Sequence, residues 1–330
     1  MKTRILCILS IVAIIVGCSD SKFTLKGKIK QLHGAELLVY SPAMEFDRTD
    51  TIRIGDEEFT YSTETAYEMP LVIVFGNSSE LAVFSTPGKT IKIEGDASSL
   101  KDIDVSGSES NELYTKFRKQ TQGMGEQAIE AEAEKFIKAN PSSAVSAYLL
   151  SRYFVERGKD KKALELGKTL KKSQPDNNLI QQIIENATDA LRASEGKQAP
   201  DFTLTTYTGA KRTLASYRGR NLLLVFTAEW NTESRGINMK LRNLRNSQNG
   251  KLAIAQVAFD VNKEMWRNIV RPDSTAWDNA IEVEAFESTI AQSYAVRQLP
   301  CFVLIDGKGK IVLRGNSQNN LEQIVGQKLK

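Results

Sequence analysis

The stretch "LLLVFTAEWNTESRGINMKL", residues 222–241, decides the reading of the C-terminal half of this chain. Leu222 to Phe226 form a continuous apolar run of the kind a buried strand needs, and the run ends in small and polar residues around Trp230. Beyond that turn, Ile237, Leu241 and Leu244 recur at helical spacing, which predicts a helix with one buried face.

Working outward, "GKQAPDFTLTTYTGAKRTLASYRGR" opens at Gly196 with a turn at Gly209 and a short helix before the strand. After the helix come a strand in "LAIAQVAFDV", helical stretches around Trp266 and Ile290, the segment "YAVRQLPCFVLIDGKGKIVLRG", and a closing helix from Asn319. Strands alternating with helices and ending in a hairpin at "DGKGK" predict a mixed sheet covered on both faces.

"APDFTLTTYTG", "LASYRGRNLLLVFTAEW" and, further on, "YAVRQLPCFVLIDGKGKIV" resemble the membrane-associated thioredoxin-like proteins that reduce disulfides outside the cytoplasm. More distantly they resemble the peroxiredoxin and thiol-specific antioxidant family. The resemblance covers residues 196–330 and implies a thioredoxin-like α/β domain there. In that family the tryptophan is followed by Cys-x-x-Cys at the start of a long helix. A thiolate is the nucleophile, the helix N-terminus lowers its pKa, and the second cysteine resolves the mixed disulfide.

Mapped by the resemblance, Trp230 keeps its place, Asn231 stands at the nucleophile position, Thr232 and Glu233 lie between, and Ser234 takes the resolving position. Neither an amide nor a hydroxyl exchanges disulfides, so the family's oxidoreductase mechanism is not expected. The peroxidase version needs a cysteine on the same turn, and Thr227 to Ser234 contain none. Asn231 instead suits a helix N-cap, its side-chain oxygen accepting from free backbone amides. Pro300 aligns with the family's cis-proline, which faces the active-site turn and borders a peptide-binding groove in redox-active relatives. A role limited to shaping the bend between helix and strand stands beside that reading. Cys301 follows directly in "CFVLID", a run typical of a central strand, where a cysteine is more often packing than reagent.

With 330 residues, 41% hydrophobic and 25% charged, the chain has the composition of a folded protein with two or three domains. The expected organisation is multidomain α+β: a lipoprotein signal over residues 1–17, a β-rich domain over 18–107, a helical spacer over 108–195 and the thioredoxin-like domain over 196–330. In the β-rich region, "FTLKGKIK" alternates and "AELLVYSP", "LVIVFGN" and "LAVFSTPGKTIKIEGD" read as short turn-bounded strands, predicting an all-β sandwich or barrel. This region resembles the uncharacterised β-domain that follows the lipidated cysteine in many bacterial lipoproteins with a C-terminal thioredoxin-like domain. His33, the protein's one histidine, falls in a turn and is expected to be solvated. From residue 111 the period changes to helical, and the lysines at 159–172 alternate with Leu164, Leu166 and Leu170 as on the wet face of an amphipathic helix.

"MKTRILCILSIVAIIVGC" has basic Lys2 and Arg4, a short apolar run from Ile5 to Val16, then Gly17 and Cys18. That is an export signal, shorter than the roughly twenty apolar residues of a membrane span. Its ending resembles a bacterial lipobox, which implies cleavage before Cys18 and acylation of Cys18. Several acyl chains on one residue anchor stably. By the sorting preference of such lipoproteins, Ser19 after the acylated cysteine favours the outer membrane. Cys7 leaves with the signal and Cys18 is consumed by lipid, so Cys301 is the mature chain's one thiol and no internal disulfide is expected.

Removing Lys2 and Arg4 from the formal net charge of +4 leaves +2, too little to imply a nucleic-acid partner. A single histidine argues against Ser-His-Asp and Cys-His centres and, with three cysteines, against a zinc site; no Walker loop or dinucleotide fingerprint occurs. No cofactor is implied. Glu282, Glu284 and Glu287 are expected to be solvated surface carboxylates.

The preferred reading is a lipid-anchored envelope protein, more adaptor than enzyme, whose redox-inactive thioredoxin-like domain presents Trp230, Asn231, Glu233 and Pro300 to a peptide or protein partner. Two alternatives stay open: a weak oxidoreductase working through Cys301, and a structural envelope component. The oligomeric state is not legible.

Overall fold

The computed structural model describes residues 22–42, 49–249, 251–273 and 276–329. The signal segment, Cys7 and Cys18 lie outside the described residues. The chain forms two compact units, the first running to Tyr153 and including Thr169–Ile180, the second comprising Phe154–Lys168 and Gln181 onward.

The first unit begins with eight strands: β1 (Lys22–His33), β2 (Glu36–Tyr40), β3 (Asp50–Arg53), β4 (Asp56–Glu64), β5 (Met69–Val74), β6 (Glu80–Ser85), β7 (Thr90–Asp96) and β8 (Asp104–Ser106). They make two four-stranded sheets, ordered β4-β1-β7-β8 and β3-β2-β5-β6. Alternation along β1 buries Phe23, Leu25 and Ile29 and leaves Lys26, Lys28 and Lys30 in water, as the period of two requires. These side chains share one core with Leu37, Val39, Leu71, Ile73, Leu81 and Val83 of the other sheet, so the domain is a sandwich and not a closed barrel. His33 ends β1 with an exposed side chain, 3.5 Å from a Glu57 carboxylate oxygen.

Helices α1 (Glu109–Thr121), α2 (Glu126–Ala139) and α3 (Ala144–Leu150) follow within the first unit. Asn111 docks α1 onto β6: its Oδ1 accepts the Phe84 amide at 2.9 Å and its Nδ2 donates to the Phe84 carbonyl at 2.8 Å. Tyr114, Tyr148 and Phe84 pack edge to face around that joint. Helices α4 (Asp160–Ser173) and α5 (Asn178–Arg192) are divided between the two units.

The second unit continues with the hairpin β9 (Thr203–Thr205) and β10 (Lys211–Thr213). There follow β11 (Asn221–Thr227), α6 (Ile237–Ser247), β12 (Leu252–Ala258), α7 (Lys263–Val270), β13 (Asp278–Ile281), α8 (Thr289–Ser293), β14 (Cys301–Ile305), β15 (Ile311–Gly315) and α9 (Leu321–Lys328). The sheet order is β13-β12-β11-β14-β15, with β11, β12 and β13 parallel and β14 and β15 antiparallel. Leu222, Leu224 and Phe226 face a core containing Phe202, Tyr217 and Tyr294. Leu223 and Val225 face the opposite core, made with Ile237, Leu241 and Leu244 of α6 and Leu321 and Val325 of α9. The mixed sheet is therefore covered on both faces, as the sequence pattern predicts.

One packing detail of the sandwich is open to direct test. Gly27 stands opposite Phe59 in the β1–β4 register, and a methyl group at Gly27 would come within 2.0 Å of the Phe59 ring. The ring covers the bare glycine backbone, so Gly27→Ala is expected to lower unfolding free energy by about 1–3 kcal/mol. Urea denaturation measures it, and Phe59→Leu in the same chain should recover part of the loss.

Candidate functional site

The parallel strands β11, β12 and β13 deliver their carboxyl ends to one edge of the sheet, where open α/β sheets place their ligands. The first loop there is the tryptophan turn. Trp230 is 57% exposed; its indole N–H donates to the Phe259 carbonyl at 2.8 Å and its ring meets Phe286 edge-on at 6.5 Å. The side chain is thus held by its N–H while more than half of it stays in solvent.

Asn231 and Ser234 form a closed hydrogen-bonded pair. The Asn231 Oδ1 accepts the Ser234 backbone N–H at 2.8 Å and the Ser234 hydroxyl at 2.9 Å. Ser234 is buried, and its Oγ accepts the Ala228 amide at 3.3 Å. Thr232 and Glu233 lie exposed between them, and the Glu233 carbonyl accepts from Gln318 Nε2 at 2.7 Å.

The N-cap expected at Asn231 is present, but the helix it caps is a single 3-10 turn, Thr232–Ser234, and not the first turn of the long helix. Arg235 is extended at φ −66°, ψ 140°, and Gly236 turns left-handed at φ 78° before α6 starts at Ile237. Glycine reaches that conformation without a Cβ clash, which lets the chain re-aim between turn and helix. The aligned dipole of α6 therefore ends at Gly236, beyond Asn231.

Pro300 is buried, and the Leu299–Pro300 peptide bond is cis. Cys301 pairs with Phe226 in the β14–β11 register, so Pro300 leaves the sheet where β11 runs into the tryptophan turn. Trp230, Asn231, Ser234 and Pro300 are thereby set at one end of the sheet. Cys301 itself is 4% exposed within the core. Burial pushes its thiol above the usual range, with the Arg314 guanidinium pulling the other way. Beside it opens a cavity of about 500 Å³ whose lining includes Asp160, Arg297 and Arg314.

Two further loops complete this end, and sequence reading passed over most of their residues. After β12, Asp260 accepts the Glu229 amide at 3.0 Å, and burial together with the Glu229 charge raises its carboxyl pKa. After β13, Glu282 donates its amide to the Ala258 carbonyl at 2.8 Å, and burial and the Glu284 charge raise its side-chain pKa. Glu284 and Glu287 are exposed as expected, whereas Glu282 is half-buried. Phe286 packs against Phe259 at 5.4 Å as well as against Trp230. The available signal was positional: these residues directly follow the strands. Among the described residues no group of three His, Cys, Asp or Glu is arranged to hold a metal ion.

The Asn231–Ser234 pair makes a quantitative prediction. Asn231→Ala removes the acceptor of two donors on a buried serine and should cost about 1–3 kcal/mol in urea unfolding. Asn231→Asp keeps the acceptor and should lose less than half of that.

Comparison with known proteins places these features. Residues 23–114 match the model of a domain of unknown function (DUF4369), and residues 219–311 match a thioredoxin-like family model. The thioredoxin-like protein YneN of Bacillus subtilis is 32% identical over 117 residues, spanning 36% of this chain and 68% of that protein. Among solved structures, a thiol-disulfide oxidoreductase from Bacteroides fragilis is 28% identical, covering 41% of this chain and all of its own, with a TM-score of 0.37. The C-terminal domain of a putative thiol-disulfide oxidoreductase from Bacteroides thetaiotaomicron is 24% identical, covering 42% and 97%, with a TM-score of 0.38. Through its C-terminal domain the chain belongs to the thioredoxin-like family.

Proposed function

We propose that the protein is a lipid-anchored adaptor of the cell envelope, in which a thioredoxin-like domain binds a peptide or protein partner and performs no disulfide exchange. The observation that carries this reading is the Asn231–Ser234 pair. Where the family's chemistry needs two sulfurs, this chain has an amide and a hydroxyl that satisfy each other and the Ala228 amide. Disulfide exchange requires an attacking thiolate with access to its target. Cys301 is buried in the sheet with its thiol pKa raised, which works against both requirements.

The surface left at this end of the sheet suits recognition. An exposed tryptophan is anchored through its N–H, and the neighbouring turn is closed by hydrogen bonds and so costs little to order on binding. The lipobox-like "IVGC" supports attachment through acylated Cys18, and Ser19 supports the outer membrane as its destination. A second reading, a weak thiol-dependent oxidoreductase, is favoured only by the cavity that Cys301 lines.

Insulin reduction separates the two. The full chain should reduce insulin at the background rate, and Cys301→Ala should leave that rate unchanged. Turnover above background that disappears in Cys301→Ala would replace the adaptor with the enzyme.

Anchoring has its own test. Cells given an alkyne fatty acid should label the wild-type chain and not Cys18→Ala, which should accumulate unprocessed or soluble. Equal labelling of the two would remove the lipid anchor.

A further inference from the structure

We infer that the loops following β11, β12 and β13 form a docking surface for an extended cationic segment of a partner protein, with an apolar side chain on the Trp230–Phe286 step and a lysine or arginine in the adjoining acidic cleft. This rests on the adaptor reading and specifies the partner's chemistry. The surface lies on the β13 side of Trp230, away from Pro300, which precedes β14 on the other side of β11.

The three loops are built as one piece. Trp230 donates to the Phe259 carbonyl at 2.8 Å, Glu229 donates to Asp260 at 3.0 Å, and Glu282 donates to the Ala258 carbonyl at 2.8 Å. Phe286 fills the angle between Trp230 and Phe259. On this frame three large apolar side chains reach into solvent: Trp230 at 57%, Val261 at 82% and Val283 at 43% exposure. Each comes from a different loop. Apolar side chains held outward by a rigid hydrogen-bonded frame characterise contact surfaces.

Charge identifies what covers them. Over residues 228–236, 259–263 and 282–288 the carboxylates are Glu229, Glu233, Asp260, Glu282, Glu284 and Glu287, against the cations Arg235 and Lys263. The whole chain carries +4, so the sign is reversed at this end. Among the described residues none of these carboxylates forms a salt bridge. Asp260 and Glu282 are half-buried, where a carboxylate gains most from an opposite charge. Nucleic acid and anionic membrane surfaces are repelled by this arrangement, and the carboxylates are too dispersed to hold a metal ion.

The cleft supplies the second contact. The segment that provides Phe286 also provides Glu282, Glu284 and Ile290 to a cavity of about 710 Å³, which Asp201 and Phe202 line as well. A lining that mixes carboxylates (Asp201, Glu282, Glu284) with apolar Phe202 and Ile290 matches a long cationic side chain, whose methylenes pack while its head stays paired.

The experiment selects a random dodecapeptide library on the full chain in detergent micelles. Enriched peptides should be net positive, with Lys or Arg within a few residues of a large apolar residue. A synthetic copy of the top-ranked peptide should change the emission of Trp230, since Trp266 and Trp277 are only 5% and 6% exposed. Its affinity should fall about tenfold in Glu282→Gln with Glu284→Gln, and again on raising salt from about 0.05 to 0.5 M. Val261→Ser, at a position 82% exposed, should weaken it about threefold. Enriched peptides that are neutral or acidic, or that bind wild type and the Gln pair alike, would overturn the cationic surface while leaving the adaptor. No enrichment over empty micelles would overturn both.

Discussion

Strand β11 imposes the constraint on which the thioredoxin-like domain depends. Leu222, Leu223, Leu224, Val225 and Phe226 are all essentially solvent-free, and alternate members serve different cores. Each such side chain is worth about 1.5–3 kcal/mol when fully buried, so both sheet faces have to be covered for the strand to exist. Covering them fixes α6 and α9 on one face and Phe202, Tyr217 and Tyr294 on the other. The direction in which β11 leaves the sheet is fixed with them, and so is the position of the tryptophan turn. None of this packing needs a sulfur atom at the end of the strand. A turn without cysteines therefore leaves the domain's packing in place.

What the turn does need is a partner for each polar group it buries. Ser234 brings a backbone N–H and a hydroxyl into a site shielded from water, and Asn231 Oδ1 accepts from both. Hydrogen bonds of this kind add little net stability, but leaving their donors unpaired is costly. The asymmetry explains why an amide and a hydroxyl are held together here. It also explains the geometry around them. The pair closes one 3-10 turn on itself, and the chain then passes through Arg235 and left-handed Gly236 to start α6 afresh. A reactive thiolate would draw on the α6 dipole; a hydrogen-bonded asparagine does not, and the helix start is free to lie further along.

Much of the architecture was legible because it rests on local periodicity. The alternation in "FTLKGKIK" gave β1, the apolar run at 222–226 gave β11, and "CFVLIDGKGKIV" gave the β14–β15 hairpin. The interruption at Arg235 and Gly236 was not legible, since Ile237, Leu241 and Leu244 keep helical spacing whether the helix starts at Thr232 or at Ile237. Nor could the sequence choose between sandwich and barrel, because that depends on which strands pair across long separations. At the site, Trp230 and Pro300 stood out through a resemblance. Phe259, Asp260, Val261 and Phe286 are ordinary residues that acquire meaning only when parallel pairing brings three strand ends together.

On the proposed reading, a thioredoxin-like fold serves recognition in place of exchange chemistry. The catalytic geometry of the family needs two residues on one loop, whereas a binding surface draws on every loop at the same end of the sheet. Here the first loop has no thiol, and the other two carry half-buried carboxylates and outward apolar side chains. A half-buried carboxylate whose pKa is raised by burial, with no cation paired to it, is less well solvated than one in open water. That deficit is relieved when an opposite charge arrives. In the docking proposed above, the same half-buried carboxylates would supply part of the free energy of association, which is why the proposed partner segment is cationic.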